Sequence, residues 1–157
     1  MTAYRATKEM GELWGQVYQE SYGVSVISLR YSNVYGPRQS ELGPSPNVFA
    51  ALRKAKKEKG YLEITGDGEQ SRDFTHVSDL VRGQLAAMTS SYCGVIDLCT
   101  GRNWTLNQVA RMFDCPVRYL PERVGDVKHI RQDSTGAETL LGWKYSVELP
   151  DGITDCL

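Results

Sequence analysis

Residues 24–31, Val24-Ser25-Val26-Ile27-Ser28-Leu29-Arg30-Tyr31, decide how this chain is read. They form an apolar, β-branched run that ends at the turn Tyr35-Gly36-Pro37, the pattern of a buried strand. Just upstream, Met10, Leu13, Trp14, Val17 and Tyr18 recur at i, i+3, i+4, i+7 and i+8, which is one face of a helix, and Gly23 is placed to stop it. Helix followed by strand is the unit from which the rest can be read.

That alternation continues downstream. After a Gly-, Pro- and Ser-rich loop from Gln39 to Pro46, the spacing predicts a helix from Asn47 to Lys59, a short strand from Tyr61 to Thr65, and a turn at Gly66-Asp67-Gly68. A short strand is expected from Phe74 to Val77, with Ser78 as N-cap of a helix through Leu80, Val81, Leu85 and Met88. Gly94 to Cys99 reads as a strand. Thr105 and Gln108 form a capping box, with Trp104 and Val109 as a hydrophobic staple, opening a helix through Met112. Val117 to Leu120 is a further strand. Asp133 is expected to cap a helix ending at Leu141, with Gly142 as its C′ residue. Strands alternating with helices predict an α/β fold, and 157 residues fit a single domain, 1–157.

Composition removes several functions. Hydrophobic residues make up 41% and charged residues 24%, enough apolar material for a core and too even a mixture for general disorder. A formal net charge of −1 gives no electrostatic case for a nucleic-acid or membrane partner. The basic run Arg53 to Lys59 follows Val48, Phe49 and Leu52 at helical spacing, which favours a solvated helix face over a polyanion patch. Cys93, Cys99, Cys115 and Cys156 have no C-x-x-C spacing, and only His76 and His129 could add imidazole, so no metal site is expected. Cys93 and Cys99 read as small core residues. Without a signal peptide or an apolar run near 18 residues, the expectation is a soluble, cytoplasmic protein with reduced thiols.

Chemistry concentrates at Tyr4 and Lys8, which share one face of the first helix at i, i+4. A tyrosine hydroxyl ordinarily ionises near pH ~10; making it a base near neutrality requires about 4 kcal/mol. A lysine charge ~4 Å away, at an effective dielectric of about 20, supplies roughly that. The pair can therefore act as a general base. By itself the spacing is common, and a surface pair is the better reading of it.

More of the chain resembles one family. Tyr4-Arg5-Ala6-Thr7-Lys8, with Glu12 after it, resembles the catalytic helix of the extended short-chain dehydrogenase/reductases. Leu29-Arg30-Tyr31-Ser32-Asn33-Val34-Tyr35-Gly36-Pro37-Arg38-Gln39 is very close to that family's strand-and-turn signature. Gly66-Asp67-Gly68-Glu69-Gln70-Ser71-Arg72-Asp73-Phe74, then Val77 and Asp79, follow in order. Gly94-Val95-Ile96-Asp97-Leu98-Cys99-Thr100-Gly101, Arg123-Val124-Gly125-Asp126-Val127 and Leu141-Gly142-Trp143 complete the likeness, which is to nucleotide-sugar epimerases and dehydratases of the UDP-glucose 4-epimerase kind.

The resemblance implies roles. Tyr4 would take a sugar hydroxyl proton; Lys8 would hold the nicotinamide ribose and assist Tyr4; Ser32 would lie where backbone meets the cofactor. Asn33 would touch the diphosphate or sugar, Asn47 and Val48 would line the nucleotide, Arg72 and Arg123 would clamp the diphosphate, and Asp126 would lie near the nucleotide ribose. Guanidinium forks suit phosphate oxygens, and both arginines sit beside glycine-containing turns, where ligand contacts concentrate. The cofactor implied is NAD and the ligand a nucleotide sugar, a UDP-sugar first among them.

The family's glycine-rich Rossmann half has no counterpart in these 157 residues, where no G-x-x-G-x-x-G occurs. The expected fold is therefore the C-terminal substrate-binding region with residual strands and helices of the parent sheet. The expected behaviour is nucleotide-sugar binding without turnover by the isolated chain. Alternatives are the active half of a split epimerase needing a separate Rossmann-half chain, and an oligomeric assembly or regulatory module without catalysis. The apolar stripe on the first helix predicts a homo-oligomer; a monomer folding back on its own stripe stays open.

Overall fold

The computed structural model describes residues 3–40, 47–122, 125 and 127–156. Helix α1 (Ala3–Tyr22) leads into strand β1 (Ile27–Tyr31) and β2 (Asn33–Tyr35). Then come α2 (Val48–Lys59), β3 (Leu62–Thr65), β4 (Ser71–His76), α3 (Val77–Met88), β5 (Gly94–Leu98), β6 (Asn103–Thr105), α4 (Leu106–Met112), β7 (Val117–Leu120), α5 (Thr135–Leu141) and α6 (Leu149–Gly152). A 3-10 turn, Ile153–Cys156, follows α6. Residues 41–46 of the expected loop lie outside the described residues.

The strands form small, mainly parallel sheets. β1 pairs in parallel with β5, Leu29 opposite Ile96. β2 pairs in parallel with β4, which also takes β6 on an antiparallel edge. β3 pairs in parallel with β7. Parallel pairing needs crossover connections, and the helices supply them, so the α/β expectation holds.

Several elements differ from the sequence reading at their ends. β1 starts at Ile27, not Val24, because Val26 serves only as a carbonyl acceptor for Gly94 N–H at 3.0 Å. β4 begins at Ser71, before the expected Phe74; Ser71 N–H is fixed by the Lys128 carbonyl at 2.8 Å, pairing that no local pattern announces. The N-cap of α3 is His76, whose ring accepts the Ser78 N–H, so Ser78 sits inside the first turn. At α5 the N-cap is Ser134 without a side-chain bond; Asp133 Oδ1 instead accepts Thr135 N–H at 2.9 Å. The capping box of α4 is present: Thr105 Oγ1 accepts Gln108 N–H at 3.1 Å, and Thr105 N–H donates to Gln108 Oε1 at 2.8 Å. Gly142 follows α5 in the left-handed conformation, as its C′ position requires.

Two apolar clusters organise the packing. One gathers Phe49 and Leu52 of α2, Ile64 of β3, Phe74 of β4 and Val109 of α4 with Phe113. Phe49 stands at its centre, with ring centroids 5.1 Å from Tyr35, 5.0 Å from Phe74 and 6.2 Å from Phe113. The other places Leu80 of α3, Ile96 and Leu98 of β5, Ala137 of α5 and Trp143 together.

Asp79 locks the second cluster. Its side chain is 0% exposed and accepts from Arg82, from the Ser146 and Val147 amides at 2.9 Å each, and from the Ser146 hydroxyl at 2.8 Å. Burial pushes its carboxyl pKa up, but these donors outweigh that and hold it below the usual carboxylate range.

Helix α1 packs unusually. Gly15 lies so close to the sheet that a Cβ there would come 2.9 Å from Val26 Cγ1, and Arg30 of β1 makes a two-pronged ion pair with Glu12 at 2.7 and 2.6 Å. The helix thus meets the sheet with small and polar residues. Its apolar stripe is left exposed; Trp14 is 59% exposed, and none of the helix's residues is buried. The later segments described here do not fold back over the stripe.

Candidate functional site

A cleft of about 990 Å³ lies where α1 crosses the C-terminal ends of β1 and β5. Its wall carries Tyr4, Lys8, Ser32 and Asn33, all named from sequence, together with Asp97 and Arg131. This size lies in the range of small-molecule sites, and its position, at strand ends in an α/β fold, is where such folds take ligands.

Tyr4 is 72% exposed and open to the cleft. Lys8 Nζ lies over its ring, 5.4 Å from the centroid. One turn of helix separates the two residues, so the helix itself enforces their proximity.

Ser32 and Asn33 are held by the sheet below. Ser32 Oγ shares a 2.6 Å hydrogen bond with Thr75 Oγ1, and Asn33 Nδ2 donates to the Asp73 carbonyl at 3.2 Å. Asp73 is itself buried, accepting the Thr100 amide at 3.1 Å and hydroxyl at 2.9 Å, which ties β4 to the turn after β5. Sequence reasoning quoted Asp73 within a motif but missed this anchoring, because Thr100 is distant along the chain.

A smaller hollow of about 420 Å³ adjoins, sharing Ser32 and Asn33 and adding Gly36 and Asn47. Gly36 has φ +149, and a Cβ there would stand 2.5 Å from Val77 Cγ1, so the turn closes only with glycine. Asn47 caps α2, accepting Ala50 N–H at 3.2 Å, while its amide donates to the Val34 carbonyl at 2.8 Å. Its neighbour Val48 packs against the first cluster.

Arg72 does not line either space. Its Nη1 donates to the carbonyls of Ser71 at 2.8 Å and Lys128 at 3.2 Å, which draws the guanidinium toward the segment following Asp126. Arg123 and Asp126 lie outside the described residues. Ile130, Arg131 and Gln132, beyond that segment, reach the main cleft and were not singled out from sequence; no motif marks them.

Cys99 does not add a nucleophile. Burial, then the nearby charge of Asp73, pushes its thiol up to about 12. Among the described residues no group of three or more His, Cys, Asp or Glu could hold a metal ion. No described helix is long and apolar enough to cross a membrane.

With Tyr4, Lys8, Ser32 and Asn33 around one cleft at the strand ends, comparison with known proteins gives a direct answer. Residues 1–96 match the model of the NAD dependent epimerase/dehydratase family. The chain belongs to that family. It is 31% identical over 160 residues to a UDP-glucuronate 4-epimerase of Thermodesulfobacterium geofontis, covering 98% of this chain and 48% of that protein. It is also 31% identical over 159 residues to a putative UDP-glucose 4-epimerase of Methanocaldococcus jannaschii, covering 98% of this chain and 51% of that protein.

Solved structures agree. A UDP-N-acetylglucosamine 4-epimerase from Methanobrevibacter ruminantium M1, in complex with UDP-N-acetylmuramic acid, superposes with TM-score 0.91 at 33% identity, covering 98% of this chain and 51% of that one. A UDP-glucuronic acid 4-epimerase from Bacillus cereus, in complex with UDP-glucuronic acid and NAD, gives TM-score 0.86 at 31% identity, with 97% and 50% covered. The fold is that of extended short-chain dehydrogenase/reductase epimerases, and the chain spans about half the length of the curated relatives it matches.

Proposed function

We propose that this chain carries the sugar-nucleotide site of an epimerase or dehydratase and binds a nucleoside-diphosphate sugar, a UDP-sugar first, in the cleft beside Tyr4. The observation that carries this reading is the shared cleft: Tyr4, Lys8, Ser32 and Asn33 line one space of about 990 Å³. Asn33 sits at the junction with the smaller hollow, where it can meet a diphosphate or sugar; Asn47 lines that hollow and would border the nucleotide, with Val48, which packs on the first cluster, next to it on α2. A diphosphate clamp by Arg72 and Arg123, with Asp126 toward the ribose, would require the Arg72 guanidinium to leave the Ser71 and Lys128 carbonyls that hold it.

Within that arrangement Tyr4 accepts a proton from a sugar hydroxyl, and the Lys8 ammonium stabilises the phenolate that results. NAD, when bound, supplies the hydride acceptor. Tyr4, Lys8 and Ser32 fit its nicotinamide end, and the described residues offer no glycine-rich loop for its pyrophosphate. On this reading the isolated chain binds nucleotide sugar and does not turn it over.

Calorimetry with UDP-glucose and UDP-glucuronate, without NAD, tests the proposal. Binding is expected, weakened at least ~10-fold by Asn33→Ala and by Arg123→Ala, consistent with roughly 1.5–3 kcal/mol for a hydrogen bond to a charged group. At a ligand concentration near 100 Kd, stability should rise by about 2.7 kcal/mol. Absence of heat and of any thermal shift with either nucleotide sugar would overturn it.

A further inference from the structure

Ile130, Arg131 and Gln132 reach the cleft from a segment that belongs to no helix or named strand. A free loop would present them in many positions, but this one is pinned at successive residues. The Lys128 carbonyl accepts Ser71 N–H at 2.8 Å, His129 Nδ1 shares a 3.0 Å hydrogen bond with Ser71 Oγ, and the Ile130 carbonyl accepts from Asn103 Nδ2 at 2.8 Å. Just beyond, Asp133 Oδ1 accepts Thr135 N–H at 2.9 Å at the head of α5. Arg131 is therefore held between β4 and β6 on one side and α5 on the other, with its side chain on the cleft wall. Fixing the backbone before a ligand arrives removes part of the ordering cost of binding.

The charges on that wall are unequally satisfied. Arg5 pairs with Glu9 at 2.7 Å and Arg30 with Glu12 at 2.6 Å. Asp97 acts on Arg30 as well, behind Glu12, and Asp73 is turned to Thr100. Two cations remain. Lys8 lies over the Tyr4 ring. Arg131 makes no hydrogen bond or ion pair among the described residues.

Arg131 lines the large cleft with Tyr4 and does not line the smaller hollow with Asn47. With a nucleotide toward Asn47 and a diphosphate at the Asn33 junction, the sugar is the part of the ligand left to face it. A guanidinium fork matches a carboxylate with two parallel hydrogen bonds, and a neutral hexose offers it only hydroxyls. We infer that Arg131 is a specificity-determining residue, selecting nucleotide sugars whose sugar carries a carboxylate. The inference rests on the cleft reading above and adds to it the class of sugar.

Calorimetry without NAD on two matched pairs tests it: UDP-glucuronate against UDP-glucose, and UDP-N-acetylmuramic acid against UDP-N-acetylglucosamine. Within each pair base and diphosphate are shared and a carboxylate is the charge that differs. In at least one pair the acid should bind at least ~10-fold tighter, a change worth about 1.4 kcal/mol. Which pair shows it tells a uronate from a lactyl acid. The preference should shrink as salt is raised, because an exposed cation is screened. Arg131→Gln should bring the ratio within ~2-fold, and Arg131→Lys should fall between, since lysine keeps the charge and loses the fork. Arg131 is exposed, so both variants should fold, which thermal unfolding checks. Equal binding of acid and neutral sugar by the unaltered chain overturns the inference. So does a preference that survives Arg131→Gln, or a variant that weakens both members of a pair alike, which would put Arg131 on the diphosphate. Binding of UDP-glucose with no preference removes this inference alone, whereas no binding by any of the four removes the cleft reading with it.

Discussion

Around Phe49 the chain supplies its own packing partners, whereas around Trp14 it leaves most of the ring uncovered. Phe49 is 1% exposed, wedged between aromatic rings from β2, β4 and the end of α4. Trp14 has a comparable apolar surface and a tilted contact only with Tyr18 of its own helix, at 6.3 Å between centroids. Both residues belong to helices with an apolar stripe. The difference is what the helix turns toward the sheet: α2 presents Phe49 and Leu52, while α1 presents Gly15 and Glu12. Apolar periodicity thus identifies a face that needs covering, without saying that the same chain covers it.

The comparison breaks most visibly by emptying the covered side. Phe49→Ala leaves a cavity among Tyr35, Phe74 and Phe113, and should cost about 3–5 kcal/mol in urea unfolding monitored by fluorescence. A cost below ~1 kcal/mol would mean that this cluster is loosely packed and that the two regions differ less than their exposures indicate.

Asp79 gives the next largest effect. Asp79→Asn keeps the shape but removes a buried carboxylate from four donors: one amide oxygen can still take the Ser146 and Val147 N–H bonds that Oδ2 accepts, while an NH2 group then faces the Arg82 guanidinium in place of Oδ1. A loss of about 3 kcal/mol is expected, reduced from larger values for buried pairs because Arg82 is half exposed. The same residue sets an acid limit. Since its folded-state carboxyl lies below the usual range, its contribution is full above the ordinary carboxylate pKa and is lost as pH falls through the folded value. Unfolding measured from pH ~6 to ~2 should therefore show a steeper acid loss for the unaltered chain than for Asp79→Asn. Parallel slopes would assign the acid transition to other carboxylates.

Legibility from sequence follows the same division. Local signals were readable: the capping box at Thr105 and Gln108, the C′ glycine at Gly142 and the period of α1 depend on residues within a few positions of one another. That Tyr4, Lys8, Ser32 and Asn33 line one cleft was legible because helix spacing fixes one pair and the family resemblance of the strand-to-turn motif marked the other. The start of β4 at Ser71, the hold of Thr100 on Asp73 and the reach of Arg131 into the cleft were not legible. Each depends on partners dozens of residues away, and a polar side chain carries no periodicity to reveal them. Short β6 and α6 were missed for a related reason: three or four residues are too few for any period to register.

The smallest expected effect is the sharpest test of the contrast. Trp14→Ser removes one of the largest apolar side chains in the protein, yet the side chain is already mostly in water, so little hydrophobic stabilisation is present to lose. Its unfolding free energy, measured on the isolated chain at low protein concentration, should stay within about 0.5 kcal/mol of the original, the range for surface substitutions. Propensity pulls slightly the same way, because serine is only a little poorer in a helix than tryptophan. The measurement should then be repeated at rising concentration. If stability of the unaltered chain climbs with concentration and that of Trp14→Ser does not, a second copy covers the stripe through mass action. If both stay flat, the isolated chain leaves the stripe in water at these concentrations, and the contrast with the self-covered Phe49 stands.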